Sequence, residues 1–162
     1  MSQTETTTPA FVLDPNPTVR WPVTVRIPAD GGQLATFRFE ARVRVYAEDD
    51  YERLLPRPPL GEDGKAEPRS ARAVLAENAA ALPAHIVDWF GVLDADGRAV
   101  PIDALPEQLA YGPYGMALSQ GLWRAVNEVR YGLTPSGGAT LGNCVPSPAT
   151  GSATATPAAP TN

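Results

Sequence analysis

The chain has 162 residues and a net charge of -5, with 43 % apolar and 19 % charged side chains, which is room for one modest core. That length is too short for a barrel enzyme or a two-domain dinucleotide enzyme. A single histidine, His85, and a single cysteine, Cys144, argue against a His/Cys metal centre and exclude an internal disulfide.

Residues 1–18 begin Met1-Ser2-Gln3-Thr4-Glu5-Thr6-Thr7-Thr8-Pro9, with no basic start and no apolar run, and are expected to be a disordered arm rather than a secretory signal. No run of about eighteen apolar residues occurs anywhere, so no membrane partner is expected. From Val19 the apolar residues fall on alternate positions: Val19, Trp21, Val23, Val25 and Ile27. After the turn cluster Pro28-Ala29-Asp30-Gly31-Gly32-Gln33 the alternation resumes through Ala35, Phe37, Phe39, Ala41, Val43 and Val45. Period two on both sides of a glycine-containing turn predicts a long antiparallel hairpin with one apolar face. Its other face holds Arg20, Arg26, Arg38, Arg42 and Arg44. With no aromatic residue interleaved on that face before Tyr46 and an acidic chain overall, the arginines read as a solvated outer face, and no nucleic-acid partner is expected.

Glu48 to Leu55 reads as a short helix with acids in its first turn, where the helix dipole favours them, and Pro56 stops it. Proline-rich residues 56–69 are expected to form a mobile loop. Ser70 is a plausible N-cap for a helix from Ala71 to about Ala81. The stretch Ile86-Val87-Asp88-Trp89-Phe90-Gly91-Val92-Leu93 is too short to assign by period and fits either a helix end or a strand entering the turn Asp94-Ala95-Asp96-Gly97. Asp103 is placed to cap a short helix containing Leu105 and Leu109, and Gly112-Pro113 breaks it. A last helix runs from about Tyr114 to Tyr131, with Leu118, Leu122, Ala125, Val126 and Val129 as its apolar stripe and Gly132 as C-cap candidate. Beyond Arg130 there is no charged residue, and 134–162 is expected to be a disordered Ala/Thr/Pro-rich tail. The expectation is an α+β fold: residues 19–133 as one domain, an N-terminal antiparallel β-hairpin packed with a small set of short helices.

Little in this chain looks like catalytic machinery. His85 has no serine on a strand-turn-helix elbow to activate, and Cys144 falls in the tail; it reads as an ordinary surface or boundary histidine. Asp94-x-Asp96-Gly97 begins like a calcium loop, but Leu105 stands where the twelfth-position glutamate is needed. Gly64-Lys65 lacks the spacing and the following hydroxyl of a phosphate loop. Glu48, Asp49, Asp50 and Glu52 are consecutive acids of a helix start rather than a fixed catalytic pair. No catalytic residue, cofactor or metal is expected. Aromatic side chains near an apolar helix stripe fit either the core, their commonest place, or a partner-binding surface, for which the candidates are Trp89, Phe90, Leu118, Leu122, Trp123 and Val126.

The run from His85 to Ile102, with Trp89-Phe90-Gly91-Val92-Leu93-Asp94-Ala95-Asp96-Gly97 followed by Val100-Pro101, resembles the middle of tailed-phage tail assembly chaperones. A short helix, a proline and a terminal helix with a central aromatic follow in those proteins, and Leu105–Tyr111, Pro113 and Leu118–Val129 hold those places here. The hairpin and the Glu48–Leu55 segment look similar too, so the likeness spans roughly 19–133. Ile102-Asp103-Ala104 and the uncharged tail depart from the pattern. The resemblance implies a non-enzymatic protein of the host cell cytoplasm that binds the apolar helices of the tape measure protein and is absent from the mature virion. Further partners would be the tail tube protein and other copies of itself. The alternative is a minor structural tail or virion component, using the hairpin to extend a neighbour's sheet.

Overall fold

Alternation builds the first two elements of the computed structural model, which describes residues 13–135. Strand β1 (Thr18–Pro28) and strand β2 (Leu34–Arg44) pair antiparallel over their whole length, with Val23 opposite Phe39 and Trp21 opposite Ala41. A short 3-10 turn, Asp30–Gly32, joins them, with Gly31 and Gly32 both at a φ of 74° that side chains rarely adopt. Of the terminal segments expected to be disordered, residues 1–12 and 136–162, with Cys144, lie outside the described residues. At the inner boundary of the arm, Thr18 already belongs to β1 and Val45 N–H donates to the Pro17 carbonyl at 2.9 Å.

Helix α1 (Glu48–Leu54) follows, and Asp50 pairs with Arg53 one turn on. Residues 56–69, expected as a mobile loop, carry a small bridge between Leu60 and Ala66, closed by Gly61 N–H donating to the Lys65 carbonyl at 2.8 Å. Ser70 caps helix α2 (Ala71–His85), its hydroxyl accepting from Ala73 N–H at 3.2 Å. The helix runs four residues beyond the expected end and contains Pro83. In the last turn this proline removes one ladder bond, and Ile86 N–H still donates to the Leu82 carbonyl, so the turn survives.

The segment left open between helix and strand is strand β3 (Ile86–Phe90), which joins α2 with no intervening loop. The hairpin thus becomes a three-stranded antiparallel sheet in the order β1-β2-β3, within the α+β class. Ala41 faces Trp89 and Val43 faces Ile86, while Arg42 faces Asp88, so Val87 is the extra residue of a bulge. In the turn that follows, the Asp94 carboxylate accepts from Asp96 N–H and Arg98 N–H, both at 2.9 Å. Both bonds fall on Oδ1, which serves the backbone of a turn.

A 3-10 turn, Ile102–Ala104, leads into helix α3 (Leu105–Tyr111). Asp103 sits inside that turn and does not cap α3, whose N-cap is Ala104; the expected cap is one position too early. Helix α4 (Gly115–Arg130) ends where Leu133 N–H reaches back to the Glu128 carbonyl at 2.8 Å across Gly132, at φ 62°.

Among the described residues the helices pack on one side of the sheet. Val23, Val25, Ala41, Val43 and Trp89 turn toward α2, α3 and α4, and meet Leu82, Leu105, Leu109, Leu122, Ala125 and Val126 in one core. Gly121 makes this possible. A Cβ there would stand 2.9 Å from the Thr24 carbonyl oxygen and 2.9 Å from Val25 Cγ2, so only glycine lets α4 lie this close to β1. The buried polar groups are tied into the same layer. Trp21 Nε1–H donates to buried Glu128 at 2.8 Å, and Asn78 of α2 donates to Ser119 of α4 at 2.6 Å.

Candidate functional site

The apolar stripe of α4 is mostly consumed by the core. Leu122 and Val126 have no exposed surface and face the sheet, so these two candidates offer nothing to a partner. Their neighbours diverge around the helix. Leu118, one turn earlier, is half-buried and leans to one flank, while Trp123 leans to the other. Phe90 is on the far side of the sheet altogether, because adjacent strand residues point to opposite faces and Trp89 takes the inner one. The six candidates therefore do not form one surface.

Two of them do meet. Trp89 and Leu118 line an open groove of about 600 Å³ together with Val25, Ile27, Phe37 and Phe39 of the hairpin, Val92, Leu93 and Val100 after β3, and Pro113 and Tyr114 before α4. Trp89 itself is buried, and its indole N–H donates to the Val100 carbonyl at 2.7 Å, which fixes the ring as the floor. Phe39 meets it edge-on at 6.3 Å. The walls are exposed: Phe37 is 53 %, Leu93 60 % and Tyr114 57 % accessible. Arg38, Asp94 and Gln108 are the charged and amide residues of this lining. Phe37 and Leu93 carry a signal that sequence reasoning passed over. Phe37 lies near the hairpin tip, beyond the reach of α4, and Leu93 precedes a turn, so neither has a helix to cover it.

Trp123 faces a shallower depression between α2 and α4, lined by Val74, Asn78, Met116, Gln120 and Asn127. Its indole N–H donates to Asn78 Oδ1 at 2.9 Å, so part of the ring is held in the helix layer. Ring centroids place it 5.3 Å from His85.

His85 is where expectation and structure differ most. It has no accessible surface. Its ring stacks on Tyr51 at 5.8 Å, nearly parallel, and meets Tyr46 edge-on at 5.5 Å. The last residue of α2 is driven inward because β3 starts at the next position and must reach the sheet. Neither ring nitrogen has a hydrogen-bond partner, and both tyrosine hydroxyls are committed elsewhere: Tyr46 donates to the Ala84 carbonyl and Tyr51 to the Arg44 carbonyl. Burial among aromatic rings holds the imidazole below its ordinary pKa of 6.5, the Leu54 carbonyl draws it back from outside hydrogen-bonding geometry, and the Arg130 charge adds to the lowering. Arg130 caps this cluster from outside, its guanidinium 5.4 Å above the Tyr51 ring and paired with Glu48, whose carboxyl that hydrogen bond holds below the usual range. Burial also pushes the Tyr51 phenol up. A neutral imidazole without donor or acceptor contacts is core material, not a general base poised beside a nucleophile.

Among the described residues no three His, Cys, Asp or Glu side chains gather as metal ligands, and no helix is long and apolar enough to cross a membrane. No protein-family model, curated protein or solved structure matches this chain.

Proposed function

We propose that this protein is a non-catalytic tail assembly chaperone that receives apolar helical segments of the tape measure protein in the groove between the hairpin tip and the start of α4. The observation that carries the reading is the pairing of a fixed indole floor, Trp89, with exposed apolar walls at Phe37, Leu93 and Tyr114. An amphipathic helix laid into such a groove buries its stripe without covalent chemistry. Apolar stripes left in water aggregate, and a small acidic protein covering them adds mutual repulsion. The order of motifs from Trp89 through Pro101 to the terminal helix supports the same reading. On this reading the protein works in the host cytoplasm and is absent from the finished particle.

Co-expression with a tape measure fragment tests it. The fragment should remain in the soluble fraction only when this protein is present. Phe37→Asp, at an exposed wall, should abolish that effect while the thermal melt of the protein itself stays close to that of the parent. A fragment equally insoluble with and without the protein overturns the proposal. Stoichiometric recovery of the protein from purified virions would favour a structural tail component instead.

A further inference from the structure

The sheet has a second face, and no described helix covers it. Arg20 and Arg26 of β1 and Arg38 and Arg42 of β2 are exposed on it, accompanied by Glu40 and Asp88 as the acids and by Phe90. That leaves an excess of positive charge on a chain whose total is -5. Arg20 and Arg42 are directly opposite across the strand pair, where like charges repel. The structure offsets this locally. Arg20 pairs with Glu40 at 2.5 Å and lies 4.2 Å above the Phe90 ring, and the Arg42 guanidinium is 5.7 Å from the same ring. The ring holds two guanidinium groups against one surface, with the N–H edges of Arg42 still unpaired among the described residues. Arg26 and Arg38, farther along the hairpin, make no ion pair among the described residues either.

We infer that this arginine face docks an acidic polypeptide segment of a partner protein, with Arg38 and Arg42 as the principal carboxylate receptors and Phe90 as the platform that holds Arg20 and Arg42 in place. Arginine suits the task because its rigid fork of donors matches a carboxylate in two parallel hydrogen bonds. Arg42 is four residue steps along β2 from Arg38, about 13 Å. Carboxylates two turns apart on a helix are about 11 Å apart, within reach of two flexible arginines. Two features favour an acidic polypeptide over a nucleic acid. The Phe90 ring already carries the guanidinium groups of Arg20 and Arg42, which compete with a base for it. The charge of the rest of the molecule repels a long polyanion, while a short acidic segment meets only the positive face. Arg20, Arg42 and Phe90 do not line the groove, which opens on the other side of the sheet; Arg38 borders both surfaces.

Fluorescence anisotropy of the full chain with a labelled helical peptide carrying glutamates two turns apart tests it, with labelled oligothymidine as competitor. The peptide should bind, and added salt should weaken it. Replacing both receptors, Arg38→Gln with Arg42→Gln, should lower affinity about 10-fold, as expected for two charge-assisted contacts. Phe90→Leu, which changes no charge, should lower it about 2- to 5-fold through the lost cation–π platform. Leu93→Ser in the groove should leave it unchanged. Should the double variant fold poorly, Arg38→Gln alone still reads the effect as a smaller loss. Absence of peptide binding, indifference to the arginine substitutions, or displacement of the peptide by oligothymidine at equal concentration would each overturn the proposal.

Discussion

The two faces of the sheet come from the same alternation and end in opposite conditions. The inner face, Val23, Val25, Ala41 and Val43, is closed by α4 to the point where Gly121 has no room for a methyl group. The outer face, read from the same two strands one residue out of phase, has arginines on an uncovered surface with one aromatic ring between them. The contrast separates two jobs. Stability belongs to the inner face, because burial of apolar area scales with what is removed from water. The recognition we propose uses what the helices leave uncovered: the outer face, and the groove walled by Phe37.

Substitutions on the two faces should therefore have effects of very different size. Gly121→Val should be the most damaging, costing about 3 kcal/mol, since the new side chain must displace the Thr24 backbone or the whole of α4; chemical denaturation would show it as a lower midpoint with an unchanged slope. A variant as stable as the parent would mean that α4 does not sit against β1. Next comes Trp123→Phe, which keeps the ring but removes the donor to buried Asn78, at a cost of about 1–2 kcal/mol. If denaturation instead finds it neutral while helix binding collapses, the α2–α4 depression would replace the groove as the recognition site.

The pH response comes third. The folded-state pKa of His85 lies below its unfolded value of 6.5, so the unfolded chain takes up the proton first as pH falls. Stability should be complete above about pH 6.5 and decline as pH drops from there toward the lowered folded value. His85 is the only histidine, so His85→Phe should flatten this part of the melting-temperature profile. Loss of the Glu48–Arg130 contact falls in a separate window, below the ordinary carboxylate value of 4.5. A parent profile that is flat between pH 7 and pH 5 would contradict the buried neutral imidazole. The smallest effect is expected outside: Arg42→Ser should change stability by no more than about 0.5 kcal/mol, and relief of the Arg20 repulsion could make it slightly positive. A loss comparable to that of Trp123→Phe would show that the outer face is structural after all.

Strong local signals located most elements well. The hairpin, α1, the Ser70 cap and the closing helix are each legible because alternation, an acidic first turn, a capping hydroxyl and a 3.6-residue stripe act within a few residues of where they are read. The end expected for α2, about Ala81, falls four residues short, and Pro83 in the last turn breaks little. The six residues chosen for a partner scattered because helix periodicity reports a side that is apolar without saying what covers it. Leu122 and Val126 went to the core, Phe90 to the far face, and Phe37 and Leu93, which wall the groove, were not among the six.

By itself the sequence determined which residues share a face, where the chain turns, and that one small α+β unit would form around alternating strands and an apolar helix stripe. Those are consequences of backbone geometry and of water excluding apolar side chains, and both act along the chain. Only the tertiary structure decided how closely α4 would cover the apolar face, that Ile86–Phe90 would become the third strand, and that His85 would be sealed among tyrosines. The pairing of β3 with β2 brings together residues more than forty positions apart, and no local preference encodes which distant surface will reach a given side chain first.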